Sequence, residues 1–389
     1  MSVVWPFKSR EELVETLEWK TDVLEPINRE QRIALRDFPR RSFNLSHSVS
    51  ELGLSAARAA IRQDDDFLVP DWTQPINVGA LEIKSDSDPI LKPSYYYGFE
   101  EGANVLIWQS ESEFEAVTVD HIDSNDGLIL SNVSNVYSRA KLYPLLSCKP
   151  TSQLNGRLLG KRRAEMQIQF TSYLSADIAA SSYSQYRTLD VVSECPVLGG
   201  GALSQSIAND FLTFDAGFGE PYNKRARGFV DLLFTMRWHF STKQSVYIFK
   251  KWLYSIKGRL TAFWISTRQQ DLEPAATISS GGTTVTVFDF PGLSLLGRDS
   301  GFDIDITSTA GASYYRQVTS FVAGTPVNGR ATVNMTISSS LGVQLTTGNI
   351  KRISFLRCAR LESDSIQITH RANAGARSQV LCREVPFPS

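Results

Sequence analysis

FTMRWHFSTKQSVYIFKKWLYSIKGRLTAFWIS, residues 234–266, is the stretch on which the fold turns. The aromatic-rich run Phe234 to Phe240 reads as a strand. Val246, Phe249, Leu253 and Ile256 then recur at helical spacing along one face, which predicts a helix over 241–257, closed by Gly258 in the position that follows a last turn. Thr261 to Ser266 reads as a second, aromatic strand. The same order occurs earlier in the chain. Arg40 to Ser46 is a short strand-like run, Ser50 to Arg62 is rich in Ala and Leu and reads as a helix, and Phe67-Leu68-Val69-Pro70-Asp71-Trp72 follows.

The parallel continues downstream. Between Gly102 and Leu130 apolar and polar residues alternate (Val105, Ile107; Phe114, Val117, Val119), with a turn at Asn125-Asp126-Gly127. Between Gly301 and Met335 the alternation is Phe302, Ile304, Ile306, followed by Tyr314 to Val318 and a turn at Asn328-Gly329. Leu145 to Cys148 precedes a hairpin ending in Met166 to Phe170, and Phe355 to Cys358 precedes Ser365 to Ile368 and Ser378 to Cys382. Correspondences at offsets of roughly 195 to 210 residues, kept in order, predict an internal duplication. The expected class is α+β, mainly β: a tandem duplication of a β-sandwich with a flanking helix, each copy carrying a small inserted β-barrel. Residues 1–74 with 141–185 are assigned to the first sandwich and helix, and 75–140 to its barrel. Residues 186–274 with 351–389 are assigned to the second sandwich and helix, and 275–350 to its barrel. The joint is expected in the polar stretch from Thr171 to Gly201, where Gly199-Gly200-Gly201 interrupts any element.

A chain of 389 residues exceeds one ordinary core, so at least two domains are expected. Lys and Arg number 40 and Asp and Glu 41, so a net charge of -1 offers no general field for phosphate backbones or anionic membranes. Arg40-Arg41 and Lys161-Arg162-Arg163 read as solvated basic runs. The opening residues lack the apolar run of a signal peptide, and no stretch approaches the roughly 18 apolar residues of a membrane span, so no membrane insertion is expected. The four cysteines, Cys148, Cys195, Cys358 and Cys382, lie far apart and are expected to be reduced and buried.

Chemistry-bearing patterns are sparse. His47, His121, His239 and His370 fall in no catalytic or metal-ligand spacing, although His121 and Asp123 would share one strand face. Glu111, Glu113 and Glu115 alternate and would project from one face, as a glycosidase pair or a calcium site requires; a solvated face is the simpler expectation, as it is for Asp303 and Asp305. Asp64-Asp65-Asp66 lacks the glycine and closing glutamate of a calcium loop, and Gly199-Gly200-Gly201 lacks the context of a phosphate cradle. No enzyme activity, cofactor or metal is expected.

Thr16 to Leu24, Glu30 to Arg36 and Pro39 to Phe43 together carry Thr-Asp-Val, a gap, Glu-Gln-Arg and a basic-aromatic strand. In this the sequence resembles phage distal tail and baseplate (tail tip) proteins. Phe263 to Leu272 is similar to the strand after the helix in those families, and Phe355 to Ile366 to their C-terminal hairpin. The resemblance implies a tail-tube-like β-sandwich with a flanking helix, and a structural virion protein at the tail tip, assembled in the host cytoplasm. It also implies self-association into a closed ring of three or six copies, contacts with tail tube, hub and fibre proteins, and phage DNA only in transit through the channel. Many distal tail proteins carry one tube-like unit, whereas two are read here, as in some central hub proteins. Some hub proteins hold an iron-sulfur cluster through four cysteines; the four here lack the close pairs that organise one. The alternative reading is a receptor- or carbohydrate-binding tail module using Tyr95-Tyr96-Tyr97 and Tyr314-Tyr315.

Overall fold

The computed structural model describes residues 3–10, 12–24, 31–78, 82–83, 90–91, 98–125, 127–160, 162–173, 178, 180–194, 205–208, 211–225, 231–290, 302–371, 375–385 and 387. Strands hold 53% and helices 10% of the residues, which makes the protein mainly β.

The first half begins with β1 (Val3–Val4), β2 (Leu13–Glu18), the hairpin β3 (Thr21–Leu24) and β4 (Gln31–Ala34), β5 (Arg40–Val49), helix α1 (Glu51–Gln63) and β6 (Phe67–Pro70). Short strands β7 (Ile76–Asn77), β8 (Glu82–Ile83) and β9 (Ile90–Leu91) lead to β10 (Asn104–Ser110), β11 (Glu113–Ile122), β12 (Gly127–Ser131) and β13 (Tyr137–Ser138). It closes with β14 (Lys141–Pro150), β15 (Asn155–Leu158) and β16 (Ala164–Ser172). The second half begins with β17 (Gln185–Tyr186), β18 (Leu189–Val192), β19 (Gln205–Ala208), the hairpin β20 (Phe211–Phe214) and β21 (Tyr222–Arg225), and β22 (Asp231–Phe240). Helix α2 (Lys243–Ile256) and β23 (Phe263–Ser266) follow. Then come β24 (Thr284–Phe288), β25 (Phe302–Ser308), β26 (Ser313–Ala323), β27 (Thr332–Ile337), β28 (Ile350–Leu361), β29 (Ser365–His370) and β30 (Ala376–Glu384).

Packing divides the chain into two compact units, each drawing on both halves or on the second. The larger comprises Met1–Ser182, Cys195–Thr261 and Leu361–Cys382; the smaller comprises Tyr183–Glu194, Ala262–Arg360 and Arg383–Ser389.

In the larger unit eight strands form one row, β15-β16-β5-β2-β29-β30-β22-β19. Phe43, Leu45, His47 and Val49 of β5 alternate to one buried face, and Ala164, Met166, Ile168 and Phe170 of β16 do the same. Burial of one face only is what a half-covered antiparallel sheet dictates. Helix α1 lays Leu54 and Ala57 on that apolar cluster. Its start is set by Ser50, whose hydroxyl accepts the Gly53 N–H at 3.0 Å. Helix α2 starts at a capping box formed by Thr242 and Ser245, and ends where Lys257 and then Gly258 (φ +66°) turn left-handed. It buries Phe249, Trp252 and Leu253, with Phe249 5.2 Å from the Trp238 ring. Strand β14 is shared: its start pairs β10, its middle β6 and its last residues β16. Beyond β10 the meander runs β11, β12 and β9 around Val105, Ile107, Val117, Val119 and Leu142.

In the smaller unit β18 runs parallel to β23, which pairs β28; β28 then pairs β25, and the sheet continues β26, β27, β24. Val285, Val287, Ile304, Ile306, Met335 and Ile353 are its core. The expected turn at Asn328-Gly329 is present, with φ of +49° and +76° between bridged Val327 and Arg330. Two left-handed residues match the twist of the flanking strands, and asparagine and glycine adopt that conformation most readily.

Candidate functional site

Strand β2 reads Leu13-Val14-Glu15-Thr16-Leu17-Glu18 and alternates, so Glu15 points to the same side as Leu13 and Leu17, the buried one. Its register neighbours are Phe43 on β5 and Ile368 on β29. A lone carboxylate there would cost several kcal/mol, on the order of the penalty for any unpaired buried charge. Three partners surround it. Arg41 on β5 donates from Nε at 3.1 Å and from Nη2 at 2.9 Å, Lys250 on α2 lies 2.7 Å from Oε2, and His370 at the end of β29 lies 2.8 Å from the same oxygen. Arg41 Nη2 also donates to Asp71 at 2.9 Å, and Asp71 accepts the Thr73 N–H at 3.0 Å and the Thr73 hydroxyl. The Lys243 ammonium donates to the Thr73 carbonyl.

The electrostatics follow from burial against pairing. Burial alone drives the Glu15 carboxyl upward, but Lys250 and Arg41, followed by His370, hold it well below the ordinary carboxylate range. Burial pushes His370 down despite Glu15, so the ring is neutral and its Nε2–H donates to Glu15. That leaves Nδ1 as an acceptor, and it has no hydrogen-bond partner among the described residues; neither has Oε1 of Gln74. Both belong to residues that line a small pocket with Thr73, Lys243, Val246, Tyr247 and Lys250. It has room for about one water molecule. Burial also lowers Lys243 to about 8. The cluster sets the carboxylates of Glu15 and Asp71 among the side chains of Arg41, Lys243 and Lys250, and its geometry ties together positions as far apart as Glu15 and His370. Chemically it is a clasp holding β2, β5, β29 and α2 in one register.

The residues singled out from sequence fall elsewhere or differ. His47 is fully buried: its Nδ1–H donates to the Lys8 carbonyl at 3.0 Å, its Nε2 accepts the Trp5 indole at 3.2 Å, and burial lowers it to about 4. His121 is exposed and lies 3.1 Å from Asp120, while Asp123 instead accepts the Asn125 and Gly127 N–H groups in the turn. Glu111 sits in a turn ahead of β11, so the three alternating glutamates do not share a strand face. Glu115 accepts the Ser134 N–H at 2.8 Å and the Tyr137 hydroxyl at 3.2 Å, which makes it a loop anchor. Asp303 and Asp305 are buried rather than exposed, and Tyr186 and Arg187 lie against Asp303 on that face of β25. Asp303 accepts the Tyr186 hydroxyl at 2.7 Å and faces Arg187 at 3.2 Å, and burial raises its carboxyl. Arg41, expected in a solvated run, is the centre of the clasp. Cys148, Cys358 and Cys382 are free and buried, the first two pushed up to about 12 by burial. Tyr315 is half-buried against Tyr186, 6.0 Å away. Tyr95 to Tyr97, Lys161, Cys195 and Gly199 to Gly201 lie outside the described residues.

Glu15 and Lys250 were not singled out from sequence, although a signal exists for each: a charge on the apolar side of an alternating strand, and a charge on the apolar stripe of a helix. No family model and no curated protein matches the chain.

Proposed function

We propose that this chain is a structural virion protein of a phage tail tip, a tandem duplication that assembles into a closed ring joining the tail tube to hub and fibre proteins around the DNA channel. The observation that carries the reading is the agreement between the pairings of the two halves. β5, α1 and β6 correspond to β22, α2 and β23. β1 runs parallel to β6 as β18 does to β23. β14 pairs β6 and β10, as β28 pairs β23 and β25. The meander β10-β11-β12-β9 corresponds to β25-β26-β27-β24, the two inserted barrels of the proposal. β16 stands between β15 and β5, as β30 stands between β29 and β22. The Thr151 N–H reaches the Gln169 carbonyl at 2.8 Å, and the Glu362 N–H reaches the Leu381 carbonyl at 2.9 Å.

In the row of the larger unit the first copy is β15-β16-β5-β2 and the second is β29-β30-β22-β19, set head to tail. Two like bodies joined head to tail make a heterologous contact, which generates a ring when the rotation closes. Three chains would present six such bodies and six chains twelve. The near-zero net charge permits close approach of copies. Light-scattering mass of the purified protein, with negative-stain images, is expected to give a trimer or hexamer with a central hole. A monomer at every concentration would overturn the proposal.

A further inference from the structure

Among the described residues, β15 and β19 each have a ladder on one side only, with β16 and β22 respectively. These are the two ends of the eight-strand row. We infer that β19 of one chain pairs antiparallel with β15 of a second copy, reproducing between chains the β2–β29 junction found within the chain. The inference rests on the head-to-tail ring proposed above.

The register can be transferred step by step. Val49 and Phe240 are the last buried residues of β5 and β22, and counting back in pairs brings Phe43 onto Phe234. Glu15 lies opposite Phe43 and Gln205 opposite Phe234, so Gln205 holds the position of Glu15, and Ser206 that of Thr16. On the other side, Leu158 lies opposite Ala164 and His370 opposite Ala376, so Gly156 holds the position of Ile368, and Asn155 that of Gln367. Within the chain Glu15 faces Ile368 and Thr16 faces Gln367. Between chains, Gln205 therefore faces Gly156 and Ser206 faces Asn155.

The helices give an independent check. Counted from the caps Thr242 and Ser50, Lys250 corresponds to Arg58. Lys250 bends onto Glu15 at the internal junction. Arg58 lies over Gly156, its Nη2 3.5 Å from where a Gly156 Cβ would stand, and it is exposed. It stands over the edge to which an incoming β19 would add, as Lys250 stands over β2.

The hairpins extend the match. β3–β4, directly after β2, grips the second copy: Thr21 N–H donates to Asp364 at 2.7 Å, Arg32 to the Arg259 carbonyl at 2.7 Å, and Asp37 pairs Lys257 at 3.2 Å. β20–β21 follows β19 in the same way, and its Phe214, Phe218 and Tyr222 are 71%, 85% and 65% exposed. Three aromatics at one hairpin tip leave an apolar surface of the kind that marks a protein contact. In the transferred junction they reach the end of α1 in the next copy. At the β15 end Leu158 and Leu159 are 61% and 47% exposed and are covered by the same contact.

The test is a disulfide. Residues directly opposite on antiparallel strands bring their Cβ atoms to roughly 4.5 to 5.5 Å, within reach of an S–S bond after small adjustment. The full chain carrying N155C and S206C together is oxidised and run on denaturing gels, beside each single variant, while light scattering reports the oligomer before oxidation. A covalent ladder that stops at the ring number, absent from both single variants, is the expected result. An oligomer that yields no ladder overturns the β15–β19 junction and leaves the ring standing; a monomer without a ladder overturns both.

Discussion

At the scale of single residues, Glu15 carries the most weight. Its carboxylate is the counter-charge of Arg41 and Lys250, so Glu15→Ala leaves two buried cations without it. Breaking a buried pair from one side costs about 3 to 5 kcal/mol, and denaturant unfolding at neutral pH should show a loss of that order. A loss under about 1 kcal/mol would mean that the cations find other partners. The pH dependence has two parts. Glu15 is depressed in the folded state, so its contribution is present above the ordinary carboxylate range and is lost as pH falls through the folded value. His47 and His370 are also depressed, His47 to about 4, so on acidification the unfolded chain takes up their protons first. Stability should therefore fall as pH drops from about 6.5, the ordinary histidine value, toward 4, and His47→Gln should flatten that slope in urea titrations across the window. A slope unchanged by the substitution would locate the uptake elsewhere. His47 could be read from the sequence as a structural histidine; the partners of Glu15 could not, because His370 lies 355 positions away along the chain.

At the scale of elements, the helices were the most legible parts. Ser50 and Thr242 are side chains that accept the orphan amides of a first turn, and Gly258 tolerates the left-handed exit, so local chemistry marks the ends before any tertiary contact forms. Thr242→Ala should cost about 1 kcal/mol in thermal or denaturant unfolding, with Ser50→Ala similar, since each removes one cap. Equal stability to the parent chain would show the caps replaced by solvent. The sequence showed which side of a strand faces the core where one face only is buried, as in β5 and β16, and misassigned the polar face where both are buried, as in β25. β25 alternates Phe302, Asp303, Ile304, Asp305, Ile306, which reads as an exposed acidic face. Flanking strands and the Tyr186-Arg187 cover bury it instead. The period of a strand reports that its faces differ, and what covers the polar face is decided by distant chain.

At the scale of the whole molecule, the hairpin β20–β21 offers the sharpest prediction. It forms a two-stranded sheet of its own, so replacing residues 211–225 with a short Gly-Ser turn should leave circular dichroism and unfolding of the rest nearly unchanged. The proposed ring should be lost from light scattering. A truncated chain that still assembles would remove the hairpin from the junction. The sequence by itself determined the two helices, many of the longer strands with their order, and the mainly β class, because apolar periodicity, caps and turn residues act over a few positions. Only the tertiary structure decided which strands are neighbours, above all that β2 lies against β29. Backbone ladders are chemically alike at every strand edge, and the choice of partner falls to side chains such as Glu15, Arg41, Lys250 and His370, which meet only once the chain has folded.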